Sequence, residues 1–365
     1  MVNYNEQIKE FEDEIKKTKY NKRTQHHIGL VKAKIANLRE KQSARSRGKG
    51  KTTGYDVKRS GDSTVVLVGY PSVGKSTLLN ILTNANSRVG QYEFTTLTVI
   101  PGLMTHKHAK IQILDVPGII KGAAAGTGRG KEVLAVMRSA DMALILVDVG
   151  HPEHLPILKK EIYDFNLRLN EKKPFIKIKK TERGGIRIGT TVRLTKIANQ
   201  TIEAILKEFK INNADVLIRD NITDEQLIDV IESNKAYIPA IVVINKMDMV
   251  SEDKLKEVMK KTKADLAVSG EKGTNIDQLR ELIFQRLSLM RIYLKEPDKK
   301  ADMEVPLIIF KDATIEDLCN KLHRDFSNKF KFAKIWGKSA KYPGQKVLNL
   351  KHILKDEDIV ELRMR

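Results

Sequence analysis

The stretch Gly69-Tyr70-Pro71-Ser72-Val73-Gly74-Lys75-Ser76 follows the apolar run Thr64-Val65-Val66-Leu67-Val68 and opens the helical pattern Ser76–Thr83. A buried strand, a turn with G-x-x-x-x-G-K-S spacing and a helix start, in that order, predict a phosphate-binding loop. The glycines let successive backbone N–H groups converge on phosphate oxygens, and the helix N-terminus adds a favourable dipole. On this reading Gly69, Pro71, Ser72, Val73, Gly74, Lys75, Ser76 and Thr77 line the phosphates. Lys75 would bridge β and γ oxygens, and the Ser76 hydroxyl would ligate Mg²⁺.

Outward from this loop, further short apolar runs recur: Ile111–Leu114, Ala143–Val147, Ile241–Ile244 and Leu266–Val268. Helical patterns lie between them, including Gly130–Ser139 and Asp277–Arg291. Near-continuous apolar strands alternating with helices argue for a parallel, doubly wound α/β sheet covered on both faces. Three more motifs sit where such strands end. Asp115-Val116-Pro117-Gly118 comes about 40 residues after the loop; Asp115 can hold Mg²⁺ through water and the Gly118 N–H can meet the γ-phosphate. Asn245-Lys246-Met247-Asp248 ends the run Ile241–Ile244. Guanine offers two adjacent donors that the Asp248 carboxylate accepts as a fork, and adenine lacks the pair; a site built on such a match rejects the wrong base strongly. Asn245 would brace the base loop, the Lys246 stem would lie over the purine, and the backbone of Ser269-Gly270 would reach guanine O6. Between loop and Asp115, the run Tyr92-Glu93-Phe94-Thr95-Thr96-Leu97-Thr98 supplies a threonine to complete the Mg²⁺ shell, Thr96 before Thr95. Such a segment orders on GTP and releases after hydrolysis.

The organisation along the chain follows from where the strand–helix rhythm breaks. Residues 1–60 read as a helical region with a basic linker: Ile8, Phe11 and Ile15 form one stripe, and Ile28, Val31, Ile35 and Leu38 another, joined near Asn21. Lys41, Arg45, Arg47, Lys49 and Lys51 then come without an acid among them, which predicts a flexible positive stretch or a solvated linker. The nucleotide domain runs over 61–171 and resumes over 237–295. About 90 residues separate the strand ending at Asp148 from the one starting at Pro239, far more than a crossover helix needs. His151–Asn170 can supply that helix, and 172–236 then reads as an inserted α+β module with a Gly184-Gly185 turn. After the linker-like Glu296-Pro297-Asp298-Lys299-Lys300, residues 296–365 predict a ubiquitin-like roll, whose helix opens with Thr314 and Asp317 as a cap.

The chain has 365 residues, 41% of them hydrophobic, with Lys and Arg totalling 66 against 46 Asp and Glu, a net +20. That excess points to a polyanionic partner, RNA foremost and not DNA; its plainer reading is a lysine-rich solvated surface. Cys319, the one cysteine, excludes an intramolecular disulfide and a thiolate zinc site and suits a reducing cytoplasm. The N-terminal residues lack the apolar core of a signal peptide and no run approaches 18 apolar residues, so a soluble cytoplasmic protein with no membrane partner is expected. His106 and His108 alternate as in a strand without an evident third ligand; surface strand positions are the expectation. Trp336 and Tyr342 can pack or stack on bases, packing being favoured in a small domain.

At Gly69–Ser76, Tyr92–Thr98, Asp115-Val116-Pro117-Gly118-Ile119-Ile120-Lys121-Gly122 and the glycine-rich Gly126–Gly130, the chain resembles the Obg-like group of translation-factor-related P-loop GTPases, and within it the developmentally regulated GTP-binding proteins. The resemblance implies an S5-like insert, a C-terminal TGS domain, and GTP hydrolysis to GDP and phosphate in association with ribosomes or rRNA, with a separate regulatory partner protein. On the motif reading above, Lys75, Thr96 and Gly118 stand at the reacting phosphate. Ile119 and Ile120 stand where Ras-like enzymes carry a water-orienting glutamine, so slow intrinsic turnover is expected. A monovalent cation, a group within Gly122–Lys131 such as Arg129, or a partner would then assist. Related GTPases bind K⁺ through a loop asparagine; Ser72 stands there, which weakens potassium stimulation without excluding it. The competing readings are a ribosome- or RNA-binding module whose GTP is structural and not turned over, and an ATPase, against which Asp248 speaks.

Overall fold

The computed structural model describes residues 4–19, 21, 24–46, 61–83, 100–115, 136–297, 299–323 and 325–365. Thr95, Thr96, Gly118, Ile119, Ile120, the segment Gly122–Lys131 with Arg129, and Arg47, Lys49 and Lys51 lie outside them. The chain divides into two compact units.

The larger unit is organised around a six-stranded sheet. Its order is Leu266–Ala267, Ala240–Asn245, Met142–Asp148, Ser63–Val68, Ala109–Asp115 and Ile100–His106. All neighbours are parallel except the last pair, an antiparallel hairpin. Ser63–Val68 and Ala240–Asn245 are buried at every position, as strands covered on both faces must be. Leu78, Leu79 and Leu82 of the helix Lys75–Leu82 pack on Leu67, Ile113 and Leu144 in the central core. The hairpin turns through Lys107 and His108, both with positive φ (47° and 67°), as a two-residue turn requires. His106 is only partly exposed and bonds Glu281 (Nε2 to Oε2, 2.8 Å), while His108 occupies the turn, so the two do not act as a strand-face pair.

The helix expected over Asp277–Arg291 ends at Arg286, and Leu289–Leu294 is a strand. The apolar run Leu287–Leu294 suits either state, and the chain reverses at Ser288, whose φ is 53°. This strand joins the sheet of the last domain, ordered Leu307–Phe310, Leu289–Leu294, Asp358–Met364, Phe330–Trp336 and Gln345–Val347. That sheet therefore takes in a strand from before residue 296. The helix Ile315–Leu322 packs into it through Ile315, Leu318 and Cys319 and opens with the expected cap: the Asp317 N–H donates to Thr314 Oγ1 (3.3 Å), and the Thr314 N–H to Asp317 Oδ2 (2.8 Å). Lys295 Nζ lies 4.9 Å from the Trp336 ring centroid, and Tyr342 is exposed.

The second unit joins the N-terminal helices to Asn166–Tyr237. Tyr4–Lys17 and Gln25–Ser46 form a hairpin whose stripes meet at Ile8, Val31 and Ile35. Asn21 opens the second helix by accepting the Thr24 N–H at 2.9 Å. That helix runs through Lys41 and Arg45 to Ser46, so these two residues are helical rather than part of a linker; both residue types are good helix formers. In the insert, Ala214–Ile218 pairs antiparallel with Ile176–Lys180 and parallel with Ile186–Thr190. One face of this sheet is covered by Asn199–Glu208 and Asp224–Glu232 through Ile202, Ile205, Leu206 and Leu227. Ala33 of the N-terminal hairpin belongs to the same core. The crossover helix is His154–Asp164, shorter than the 151–170 expectation, because Leu167–Leu169 is a strand paired with Ala236–Ile238.

Candidate functional site

The larger sheet delivers its polar residues to one edge. Gly69 follows Val68, while Asp115, Asp148 and Asn245 each close their strand. Ligands of open α/β sheets bind outside these carboxyl ends.

Lys75 begins the helix, and its ammonium donates to the carbonyls of Gly69 and Tyr70, both at 3.0 Å. Burial pulls its pKa down, against the opposing charge of Asp115. Asp115 is pushed the other way by burial, with Lys75 and the Ser76 hydroxyl opposing. Ser76 Oγ donates to Asp115 Oδ2 at 3.4 Å, and Asp115 Oδ1 is buried without a hydrogen-bond partner among the described residues. An orphaned carboxylate oxygen beside a hydroxyl is an all-oxygen set that fits a hard cation such as Mg²⁺.

Asn245 ties this loop to the base-side loops. Its Nδ2 donates to the Val73 carbonyl (2.8 Å), and its Oδ1 accepts the Gly270 N–H (3.0 Å). Gly74 has φ 91°, and a Cβ there would stand 2.5 Å from Asn245 Nδ2, so glycine is required at this close approach. Lys246 is left-handed (φ 63°) and its ammonium pairs with Asp148 Oδ2 at 2.7 Å. Burial raises the Asp148 pKa, but hydrogen bonds from Lys246 and the Gly150 N–H outweigh it and hold the carboxyl below its ordinary value. A hydrogen bond from Ser269 does the same for Asp248, with Lys272 Nζ 3.7 Å away. Ser269 itself is fully buried, its N–H donating to the Thr274 carbonyl at 3.2 Å.

The structure thus brings Gly69, Pro71, Ser72, Val73, Gly74, Lys75, Ser76, Thr77 and Asp115 to one end of the edge. Asn245, Lys246, Asp248, Ser269 and Gly270 lie beside them. A cavity of about 310 Å³ flanks the phosphate loop, lined by Tyr70, Pro71, Ser72, Val73, Asp148, His151, His154 and Lys246. Asp148 and His154 are site residues that no motif spacing singles out. Asp148 carried a usable signal, a carboxylate closing a buried strand. The stacking of His154 on Tyr70, with ring centroids 4.1 Å apart, carried none.

Three family models match: a 50S ribosome-binding GTPase over residues 64–180, the C-terminal region of that GTPase domain over 183–289, and a TGS domain over 290–364. Among curated relatives, an uncharacterized GTP-binding protein of Methanocaldococcus jannaschii is 54% identical, covering 98% of this chain and 92% of the relative. Developmentally-regulated G-protein 3 of Arabidopsis thaliana is 44% identical, and the human developmentally-regulated GTP-binding protein 2 is 41% identical, each with 98% of both chains covered. The chain therefore belongs to the developmentally regulated GTP-binding proteins, a family that carries a P-loop GTPase domain followed by a TGS domain.

Proposed function

We propose that the protein hydrolyses GTP to GDP and phosphate as a Mg²⁺-dependent switch acting at ribosomes, in the cytoplasm. The observation that carries this reading is the Asn245 amide, which holds the phosphate loop at Val73 and the base loop at Gly270 in one pocket. Lys75 binds the β- and γ-phosphates, exchanging its two loop carbonyls for phosphate oxygens that meet its charge. Ser76 and Asp115 hold Mg²⁺, joined by Thr96; Gly118 contacts the γ-phosphate. Asp248 reads the two guanine donors and Lys246 covers the purine; the N–H groups of Ser269 and Gly270, expected to reach O6, are spent on the Thr274 carbonyl and on Asn245, so these two residues hold the base loop in place.

The metal supplies charge for the transferring phosphoryl group; the chain's own residues bind, orient and exclude the wrong base. Ile119 and Ile120 cannot orient the attacking water by hydrogen bonds, so unassisted turnover is slow. Potassium, the ribosome or a regulatory partner protein raises it. Support for the ribosomal site of action comes from the matched family model, described as ribosome-binding, and from the net +20 charge.

A turnover assay in sodium and in potassium, with and without ribosomes, tests the switch. Phosphate release stimulated by either addition is the expected result; GTP that stays intact in all four conditions would leave a ribosome- or RNA-binding module with a structural nucleotide. Calorimetry separates base recognition from turnover. Asp248→Asn should lose most of the preference for GTP over ATP, and an unchanged preference would remove Asp248 from the base site.

A further inference from the structure

Among the described residues, one cluster of metal-ligating side chains lies outside the roles above. His151, Glu153 and His154 occupy the turn that leads from the strand Met142–Asp148 into the helix His154–Asp164, and their ligand atoms all lie within 4.8 Å of one another. The turn is braced by its backbone. The His151 N–H donates to the Asp148 carbonyl (3.0 Å), the His154 N–H to the His151 carbonyl (3.2 Å), and the Gly150 N–H to Asp148 Oδ1 (2.8 Å). The His154 ring is further held by its near-parallel stack on Tyr70, 18° between planes. His151 and Glu153 are exposed, at 61% and 60%, and paired Nδ1 to Oε1 at 2.9 Å.

We propose that His151, Glu153 and His154 bind one divalent transition-metal ion, at the edge of the cavity that flanks the phosphate loop and apart from the Mg²⁺ position at Ser76 and Asp115. Two imidazoles and one carboxylate are a donor set for Zn²⁺, Co²⁺ or Ni²⁺, which accept nitrogen, and not for Mg²⁺, which takes oxygen. Three protein ligands leave a coordination position open to water. The amino end of the helix carries partial positive charge and opposes a cation; the Glu153 carboxylate beside it offsets this. The two imidazole rings lie 5.1 Å apart and 21° from parallel, so closing both on one ion requires the His151 ring to swing, which its exposure permits. The site stands independently of GTP turnover and of any ribosomal role.

Titration of the full chain with CoCl₂ in excess Mg²⁺, followed by visible absorption, with ZnCl₂ calorimetry in parallel, tests the proposal. One ion per chain should bind without competing with Mg²⁺. His151→Ala removes an exposed side chain and leaves the core intact. It should weaken binding at least about tenfold, a loss already typical when a group that merely supports a metal ligand is removed. His151→Ala with His154→Ala should abolish it. The double variant His26→Ala with His27→Ala, at two neighbouring histidines far from this turn in sequence, should bind as the parent does. Failure to take up either ion overturns the site, as does stoichiometric displacement by Mg²⁺. Unchanged binding in the His151→Ala, His154→Ala protein would overturn it equally.

Discussion

Asn245 spends both ends of its amide inside the protein, on the Val73 carbonyl and the Gly270 N–H, and is itself almost fully buried. Replacing it with alanine leaves two backbone groups to find water, at about 1–3 kcal/mol each where they stay buried. Asn245→Ala should therefore lower the melting temperature and weaken GDP and GTP alike. Thermal melts with calorimetry check this, and a variant that keeps both properties would show that the two loops hold without the bridge. Ser72 has φ 63°, a conformation asparagine tolerates better than serine. Ser72→Asn should fold at least as well as the parent. If a loop asparagine is what potassium needs, the ratio of turnover in potassium to that in sodium should rise severalfold; an unchanged ratio would detach this position from the cation. The reach of sequence reading at this scale depends on spacing. Lys75, Ser76, Asp115 and Asp248 were legible because their distance from strand ends is set by the chain itself. The His151–Glu153–His154 turn was not, since it exists only once the turn is folded and Tyr70 has been brought beside it.

The helix Ile315–Leu322 and the hairpin ending at His106 illustrate how elements are held by single ends. Thr314→Ala removes a cap and should cost about 1 kcal/mol, read as a lowered unfolding midpoint in denaturant; a null result would mean that the Asp317 carboxylate alone satisfies the helix start. The hairpin is pinned to the helix Ile276–Arg286 by Glu281. Hydrogen bonds from Lys107, His106 and Gln285 bring its carboxyl down to about 2 from an ordinary 4.5. The folded-state value is depressed, so this stabilisation is present above about 4.5 and is lost as pH falls through about 2. Glu281→Gln should melt below the parent near neutrality, and the gap should close over that acid window. A gap independent of pH would assign the effect to packing. Among elements, the parallel strands were readable because burial on both faces leaves continuous apolar runs. Leu289–Arg291, the first half of the strand Leu289–Leu294, reads as the end of the helix because an apolar run beside a helix keeps no period of its own, and only the reversal at Ser288 separates the two.

At the scale of the whole molecule, the N-terminal hairpin is part of a folding unit rather than an appended arm. Ala33 is buried in the core of the insert, and a Cβ on Gly29 would stand 2.9 Å from Thr201 Cγ2, so the helices touch closely. Lys32 adds ion pairs to Asp224 (3.0 Å) and Glu225 (2.7 Å). Deleting residues 1–50 should therefore destabilise the insert as well as remove positive charge. The cleaner test of RNA binding exchanges exposed lysines of the hairpin for glutamine. Each phosphate that the hairpin then ceases to neutralise should flatten the log–log salt dependence by about 0.7–0.9, and an unaltered slope would exclude the hairpin from the interface. The last domain is attached in a different way. Two residues, Leu287 and Ser288, separate the helix under the nucleotide sheet from a central strand of the TGS sheet. Leu287, Leu289 and Ile308 are buried in the core that also holds Leu78 and Leu144. The last domain therefore cannot be excised at the linker-like residues near 296, because a cut there would leave behind the strand Leu289–Leu294 and the apolar packing of Leu287 and Leu289.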